Sequence, residues 1–171
     1  MQRPTVVTVF GILNICFAAL GVIGIIASIA LFFVPADSNN PVIKIMHENA
    51  AYAMWLRICI PLGILSSLAL LAAGIGLLYL KPWARKLSIG YALYAIVFSV
   101  VGMVVNFFVL FEPLLKQAQS QSGPEAVGAL GGAIGGSCGG CVGMIYPILL
   151  LIFMMHPSVV AAFRPPSPPL M

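Results

Sequence analysis

The sequence predicts an all-α fold, a polytopic membrane protein built as a four-transmembrane-helix bundle with both termini inside (N-in/C-in). Three observations lead to this fold class. Of the 171 residues, 61% are hydrophobic and only 7% are charged. In a typical soluble domain, about 45–50% of the residues are apolar and about 25% are charged. The apolar residues form four long stretches, and the basic residues gather on one side of them. We therefore expect a single membrane domain over residues 1–171.

The four stretches run over about 6–34, 51–80, 87–111 and 126–155. Each is long enough to cross the hydrocarbon, which takes about 20 helical residues. The segments between them contain proline, asparagine, serine and charged residues, a composition typical of loops. Because the stretches are continuously apolar and lack the alternation of a membrane barrel, we expect helices and not strands.

The charges predict the orientation. With the N-terminus inside, the inner face holds five basic residues and no acid, and the outer face holds every acid in the chain. The inner residues are Arg3, Lys81, Arg85, Lys86 and Arg164, and the acids are Asp37, Glu48, Glu112 and Glu125. The positive-inside rule therefore favours N-in/C-in, with multi-pass insertion in the inner (plasma) membrane. Residues 164–171 then form a Pro-rich cytoplasmic tail.

The first stretch contains one amide side chain, Asn14, in its inner half. Its apolar run is longer than the core of a signal peptide, which has about 7–15 residues, so we expect a retained helix. A lone asparagine in a span is more typical of hydrogen bonding between helices than of ion binding.

The second and third stretches carry a polar group near their outer ends. Arg57 lies about six residues, or roughly 9 Å, below the outer end of its helix, so its side chain can reach the interface. Asn106 and Glu112 lie at a comparable depth. We expect an outer-rim polar cluster in which Arg57 hydrogen-bonds to Glu112 or Asn106. A substrate-binding arginine is the alternative, because ionisable residues within spans often mark functional sites.

The fourth stretch carries two ladders of glycine at four-residue spacing, a glycine zipper. One contains Gly128, Gly132, Gly136 and Gly140, and the other contains Gly131, Gly135, Gly139 and Gly143. Small residues at this spacing let helices approach closely in lipid. We expect one helix over 126–155, bent near Pro147, with its glycine face against another helix. The alternative is a shorter span that begins near Cys138, with 126–137 as a loop.

Cys138 and Cys141 are separated in the sequence by two glycines. Thiols at this spacing can form a disulfide, and a nucleophilic thiol beside a resolving thiol is the basis of redox shuttling. The competing interpretation is structural, because Cys141 is also a small packing residue beside the glycine ladders.

Two resemblances follow from these motifs. Four segments resemble parts of small bacterial four-helix inner-membrane proteins, which implies the fold but no activity: Arg3–Asn14, Lys81–Ser88, Tyr146–Phe153 and Pro157–Phe163. The cysteine pair followed by Tyr146 is similar to vitamin K epoxide reductase and its bacterial relatives, which implies electron transfer from thiols to a quinone. Residues 35–50, where that family carries relay cysteines, contain none.

Several function classes are excluded by what the sequence lacks. The sequence has no run of basic residues that could bind the phosphate backbone of a nucleic acid, so we expect no nucleic-acid partner. We expect no metal site, because His47 and His156 fall on opposite sides of the membrane. No span contains an acid clear of its end, which counts against proton-coupled transport.

Two main functions and one weaker option remain. The first is a non-enzymatic, helix-packing structural protein or accessory subunit, without a cofactor, that forms a homo-oligomer or joins a larger membrane complex. The alternative is a thiol–quinone oxidoreductase that uses Cys138 and Cys141, with a quinone as its cofactor. A channel is a third, weaker option, because glycine ladders also line helical oligomers.

Overall fold

A computed structural model describes residues 5–35, 41–111, 115, 119, 131, 141 and 143–163, which form helices and no strand. The helices are α1 (Thr5–Leu31), α2 (Pro41–Glu48), α3 (Ala50–Leu78), α4 (Pro82–Val105), α5 (Gly143–Met155) and α6 (Pro157–Ala162). A π-helical segment, Asn106–Phe111, follows α4 directly.

Three of these helices are long and apolar enough to cross a membrane: α1, α3 and the segment Pro82–Val109. They have 27, 29 and 28 residues, so each is about 40 Å long against a hydrocarbon thickness of about 30 Å. The predicted all-helical class is therefore confirmed for the described residues, and the three helices fit the predicted multi-pass membrane protein. α5 is a shorter apolar helix, and most of 126–142 lies outside the described residues.

α4 begins five residues before the predicted span, which started at residue 87. Pro82 opens the helix, because a proline in the first turn has no N–H to leave unpaired and its φ already suits a helix. The basic segment between α3 and α4, expected as a loop, is thus largely the first turn of α4.

α2 is a short helix that the sequence analysis did not predict. It lies against the ends of α1 and α3, where its Ile45 and Met46 are buried with Tyr52. Leu31, Phe32, Trp55, Leu56 and Val109 surround this cluster. Asn49 then caps α3, since its Oδ1 accepts hydrogen bonds from the N–H groups of Ala51 at 3.0 Å and Tyr52 at 3.2 Å.

α1 and α3 pack antiparallel in the most extensive helix contact of the described chain. A Cβ added at Gly74 would lie 2.8 Å from the Gly11 carbonyl oxygen and 3.0 Å from the Cβ of Asn14. One added at Gly21 would lie 2.6 Å from the Ser67 hydroxyl. We call these residues the α1–α3 seam, where a side chain at Gly74 would meet backbone and one at Gly21 would have to displace the Ser67 hydroxyl.

A buried core joins five helices at one end of the bundle. It contains Val7, Phe10, Leu77, Ala84, Ala92, Leu150, Met154 and Val159. The start of α1, the end of α3, the start of α4, the end of α5 and α6 therefore meet there. Lys81, Arg85 and Lys86 belong to the same region, which we call the basic end. Arg85 links α4 to α5 there, because its Nε donates a hydrogen bond to the Met154 carbonyl at 2.9 Å.

The turn from α3 to α4 is a Schellman motif. The N–H of Leu80 bonds to the Leu77 carbonyl at 3.0 Å, and the N–H of Lys81 bonds to the Gly76 carbonyl at 2.9 Å. Leu80 has a φ of 53°, a left-handed conformation that usually requires glycine. Its side chain packs against the basic-end core, and this packing offsets the backbone strain.

Candidate functional site

A buried hydrogen bond links α1 to α5. The Tyr146 hydroxyl donates to the Oδ1 of Asn14, whose side chain is fully buried at 0% exposure. The Tyr146 ring lies against Phe17, with ring centroids 4.1 Å apart. The prediction that Asn14 joins helices is therefore confirmed. The Nδ2 of Asn14 has no hydrogen-bond partner in the part of the chain that the structure describes.

Tyr146 also forms one wall of a cavity of about 670 Å³ between α1, α3, α4 and α5. Five aromatic rings line it, and small residues such as Gly63, Ala95 and Gly143 leave its space open. The aromatic residues are Phe17, Tyr91, Tyr94, Phe98 and Tyr146. No charged side chain is among its described lining residues.

The hydroxyl groups of this cavity fall into two kinds. Two already donate a hydrogen bond within the chain. The Tyr146 hydroxyl donates to Asn14, and the Ser66 hydroxyl donates to the Gly63 carbonyl at 2.9 Å. The hydroxyls of Tyr91, Tyr94 and Ser99 also belong to lining residues, and they make no hydrogen bond with any described residue. Hydroxyl groups without a partner are costly in an apolar medium, so the cavity offers hydrogen bonds to an occupant.

The two described members of the outer-rim polar cluster, Arg57 and Asn106, are not hydrogen-bonded to each other. Arg57 is exposed and makes no hydrogen bond or ion pair within the described residues. Asn106 donates from its Nδ2 to the carbonyl of Gly102 on its own helix, at 2.8 Å. Glu112 lies outside the described residues, so a pairing of Arg57 with Glu112 stays a prediction.

Only one member of the cysteine pair, Cys141, lies among the described residues. Cys141 is exposed and is a free thiol. Cys16, also exposed, and Cys59, partly buried, are free thiols too. Cys138 lies outside the described residues. Disulfide formation between Cys138 and Cys141 therefore stays a prediction.

Two members of the glycine ladders are described, Gly131 and Gly143. Both are exposed, and a Cβ added at either would meet no atom within 4 Å. The other six, Gly128, Gly132, Gly135, Gly136, Gly139 and Gly140, lie outside the described residues. At the two described positions, this chain leaves free space beside the ladder.

The two histidines have local roles. The His47 Nε2 lies 3.4 Å from the carbonyl of Val34 near α2. His156 caps α6, where its Nδ1 accepts a hydrogen bond from the N–H of Ser158. No group of three or more metal-ligating side chains occurs among the described residues.

The cavity was not predicted from the sequence. A signal was available on α4, where Tyr91, Tyr94 and Phe98 follow a spacing of three and four residues that places them on one helix face. Tyr94 and Phe98 stack with centroids 5.5 Å apart, and Phe98 stacks on Trp55 at the same distance. The pattern shows a row of aromatic residues, but the facing residues of α1 and α5 come from distant segments.

Comparison with protein-family models, with characterised proteins and with solved structures gives no match to this chain. The two resemblances drawn from short motifs therefore stay predictions.

Proposed function

We propose that this chain is a non-enzymatic membrane protein that assembles with a second copy of itself through the glycine ladders of its fourth span. One observation carries the proposal: Gly131 and Gly143 have free space where a Cβ would lie, whereas the seam glycines are in contact with the neighbouring helix. A second copy would occupy this space.

The cost of glycine supports this role. In a helix interior, glycine is less favourable than alanine by about 1 kcal/mol, and eight glycines occupy regular positions between residues 128 and 143. At the seam, close approach of another helix explains such residues. An intermolecular contact would explain them in the fourth span, because small residues are the usual contact surface between helices in lipid.

The assembly unit is a chain with four spans and both termini in the cytoplasm. The shared core of Val7, Leu150 and Val159 supports this topology, because it brings the first and last described helices to the same end. The basic residues of that end favour the cytoplasmic side. Reporter fusions are expected to be cytoplasmically active at Met171 and periplasmically active near Asn39. The reverse pattern would overturn the topology.

The assembly is tested with Gly131→Leu in the full chain, purified in mild detergent. Gly131 is preferred to Gly143 because Gly143 also borders the cavity. We expect the wild-type chain to be oligomeric and the variant to dissociate, as measured by size-exclusion chromatography with light scattering.

Gly24→Leu is the matched control. Gly24 also has free space on a spanning helix but lies outside the ladders, so this variant is expected to stay oligomeric. A monomeric wild-type chain, or an unchanged oligomer in Gly131→Leu, would contradict the proposal.

The second candidate function is the thiol–quinone oxidoreductase. It is favoured by the exposure of the free Cys141 thiol, and in it Cys138 and Cys141 would give two electrons and two protons to a quinone and become a disulfide. Mass spectrometry after alkylation under native oxidising conditions tests it. A bond between these two cysteines supports the enzyme, and four free thiols argue against it.

A further inference from the structure

Beyond assembly, we propose that the cavity between α1, α3, α4 and α5 binds an uncharged, lipid-soluble molecule that carries a carbonyl or ether oxygen. This inference does not rest on the glycine ladders or on a second copy of the chain. It follows from the size of the cavity, its charge, its depth and the hydroxyl groups on its wall.

Size and charge define the first part of the ligand class. The cavity measures about 670 Å³, within the range of about 300–1,000 Å³ typical of small-molecule sites. Its described lining is aromatic and aliphatic, and no lysine, arginine, aspartate or glutamate side chain is part of it. A charged ligand would find no counter-ion there, so the ligand is neutral.

Depth excludes the headgroup of a phospholipid. Tyr91 lies nine residues after the start of α4 at Pro82, and Ser99 lies 17 residues after it. At about 1.5 Å per residue, these positions are about 13 Å and about 26 Å along the helix from its basic end. The cavity is therefore at the level of the hydrocarbon, so its ligand must itself dissolve there.

The hydroxyl groups of the cavity predict that the ligand carries an oxygen acceptor. Tyr91, Tyr94 and Ser99 are on one helix, line the cavity and have no hydrogen-bond partner among the described residues. A plain acyl chain would leave these donors unpaired. An oxygen acceptor on the ligand would pair with at least one of them, whereas Tyr146 is held by Asn14 and serves as a fixed aromatic wall.

Benzophenone is a suitable probe, because it is neutral, aromatic and carries a carbonyl oxygen. On irradiation it abstracts hydrogen from a nearby C–H bond and couples to that carbon. In the full chain in detergent, we expect mass spectrometry to place the adducts on cavity-lining residues of α4 and α5. Fluorenone is expected to compete, and fluorene, which has the same ring system without the oxygen, is expected to compete weakly.

Variants locate the site. Ala95→Phe fills the cavity and is expected to abolish labelling, whereas Val97→Phe changes a residue of the same helix that is 64% exposed and is expected to label normally. Tyr94→Phe and Ser99→Ala keep the shape and remove a donor. If the donor removed is the one that binds the carbonyl, labelling is expected to fall about fivefold, as for the loss of one neutral hydrogen bond.

Three results would overturn the proposal. Adducts spread over the exposed apolar faces and unchanged by Ala95→Phe would indicate partition into detergent. Equal competition by fluorene and fluorenone would remove the role of the hydroxyl groups. An absence of labelling in the wild-type chain would mean that the cavity is already filled by protein.

Discussion

The glycines of the α1–α3 seam and the glycines of the fourth predicted span have opposite surroundings. At Gly74 and Gly21, a Cβ would lie 2.8 Å and 2.6 Å from an atom of the other helix. At Gly131 and Gly143, it would meet no atom within 4 Å. The regular ladders are thus unoccupied at both described positions, and glycines without an obvious repeat hold the helices of this chain together.

A small-residue pattern therefore indicates the ability to pack closely and does not identify the partner. At the seam, the partner is a helix of the same chain. In the fourth span, the free space at Gly131 is where we propose a second copy to bind. The two regions are therefore expected to respond to substitution in different ways.

The largest effect is expected for Gly74→Leu. Its side chain would have to enter the space occupied by the backbone of Gly11, so we expect a loss of about 3 kcal/mol or more in the free energy of unfolding. Gly90→Leu is the control, because a Cβ at Gly90 meets no atom within 4 Å, and no loss is expected. Thermal unfolding in detergent, followed by circular dichroism, measures both. Equal losses would remove the distinction between closed and open glycines.

A smaller effect is expected where the seam joins α5. Tyr146→Phe leaves the Asn14 amide without its only partner among the described residues, which costs about 1–3 kcal/mol for a buried group. Asn14→Leu has an effect of similar size, because it leaves the tyrosine hydroxyl unpaired.

The double variant sharpens this test. Because Asn14→Leu with Tyr146→Phe removes both polar partners, we expect it to be less destabilised than the sum of the single variants by about 1 kcal/mol. Strict additivity in the same unfolding measurement would show that the two side chains do not interact.

The smallest effect is expected at the basic end. Arg85→Met removes the hydrogen bond to the Met154 carbonyl in the last turn of α5, and we expect a loss of about 1 kcal/mol. The neighbouring Lys86 is exposed and makes no hydrogen bond to a described residue, so Lys86→Met is expected to change stability by less than about 0.5 kcal/mol. A larger loss in Lys86→Met would contradict the assignment of this contact to Arg85.

The spans of α1, α3 and α4 were predictable because a long apolar run has no stable place outside the membrane. Asn14 was predictable for a related reason, since a polar side chain surrounded by hydrocarbon needs a partner. α2 was missed because its eight residues are too few to register as a span and their apolar positions are interrupted by charged residues.

The seam and the cavity were not predictable because each depends on which helix faces meet. Gly11 and Gly74 come from distant segments, and no repeated spacing connects them. Asn106 illustrates a different limit. Equal depth favoured a bond from Arg57 to the Oδ1 of Asn106, but the Nδ2 of Asn106 donates to the carbonyl of Gly102, one turn back, and so holds the side chain on its own helix.

The Schellman turn at Leu80 has a consequence for the placement of charges at a membrane. Only Tyr79, Leu80 and Lys81 connect α3 to α4, and three residues reach about 10 Å when fully extended, far less than the hydrocarbon thickness of about 30 Å. The end of α3 and the start of α4 are therefore on the same side of any membrane that both helices cross. The charges of Lys81, Arg85 and Lys86 lie together on that side.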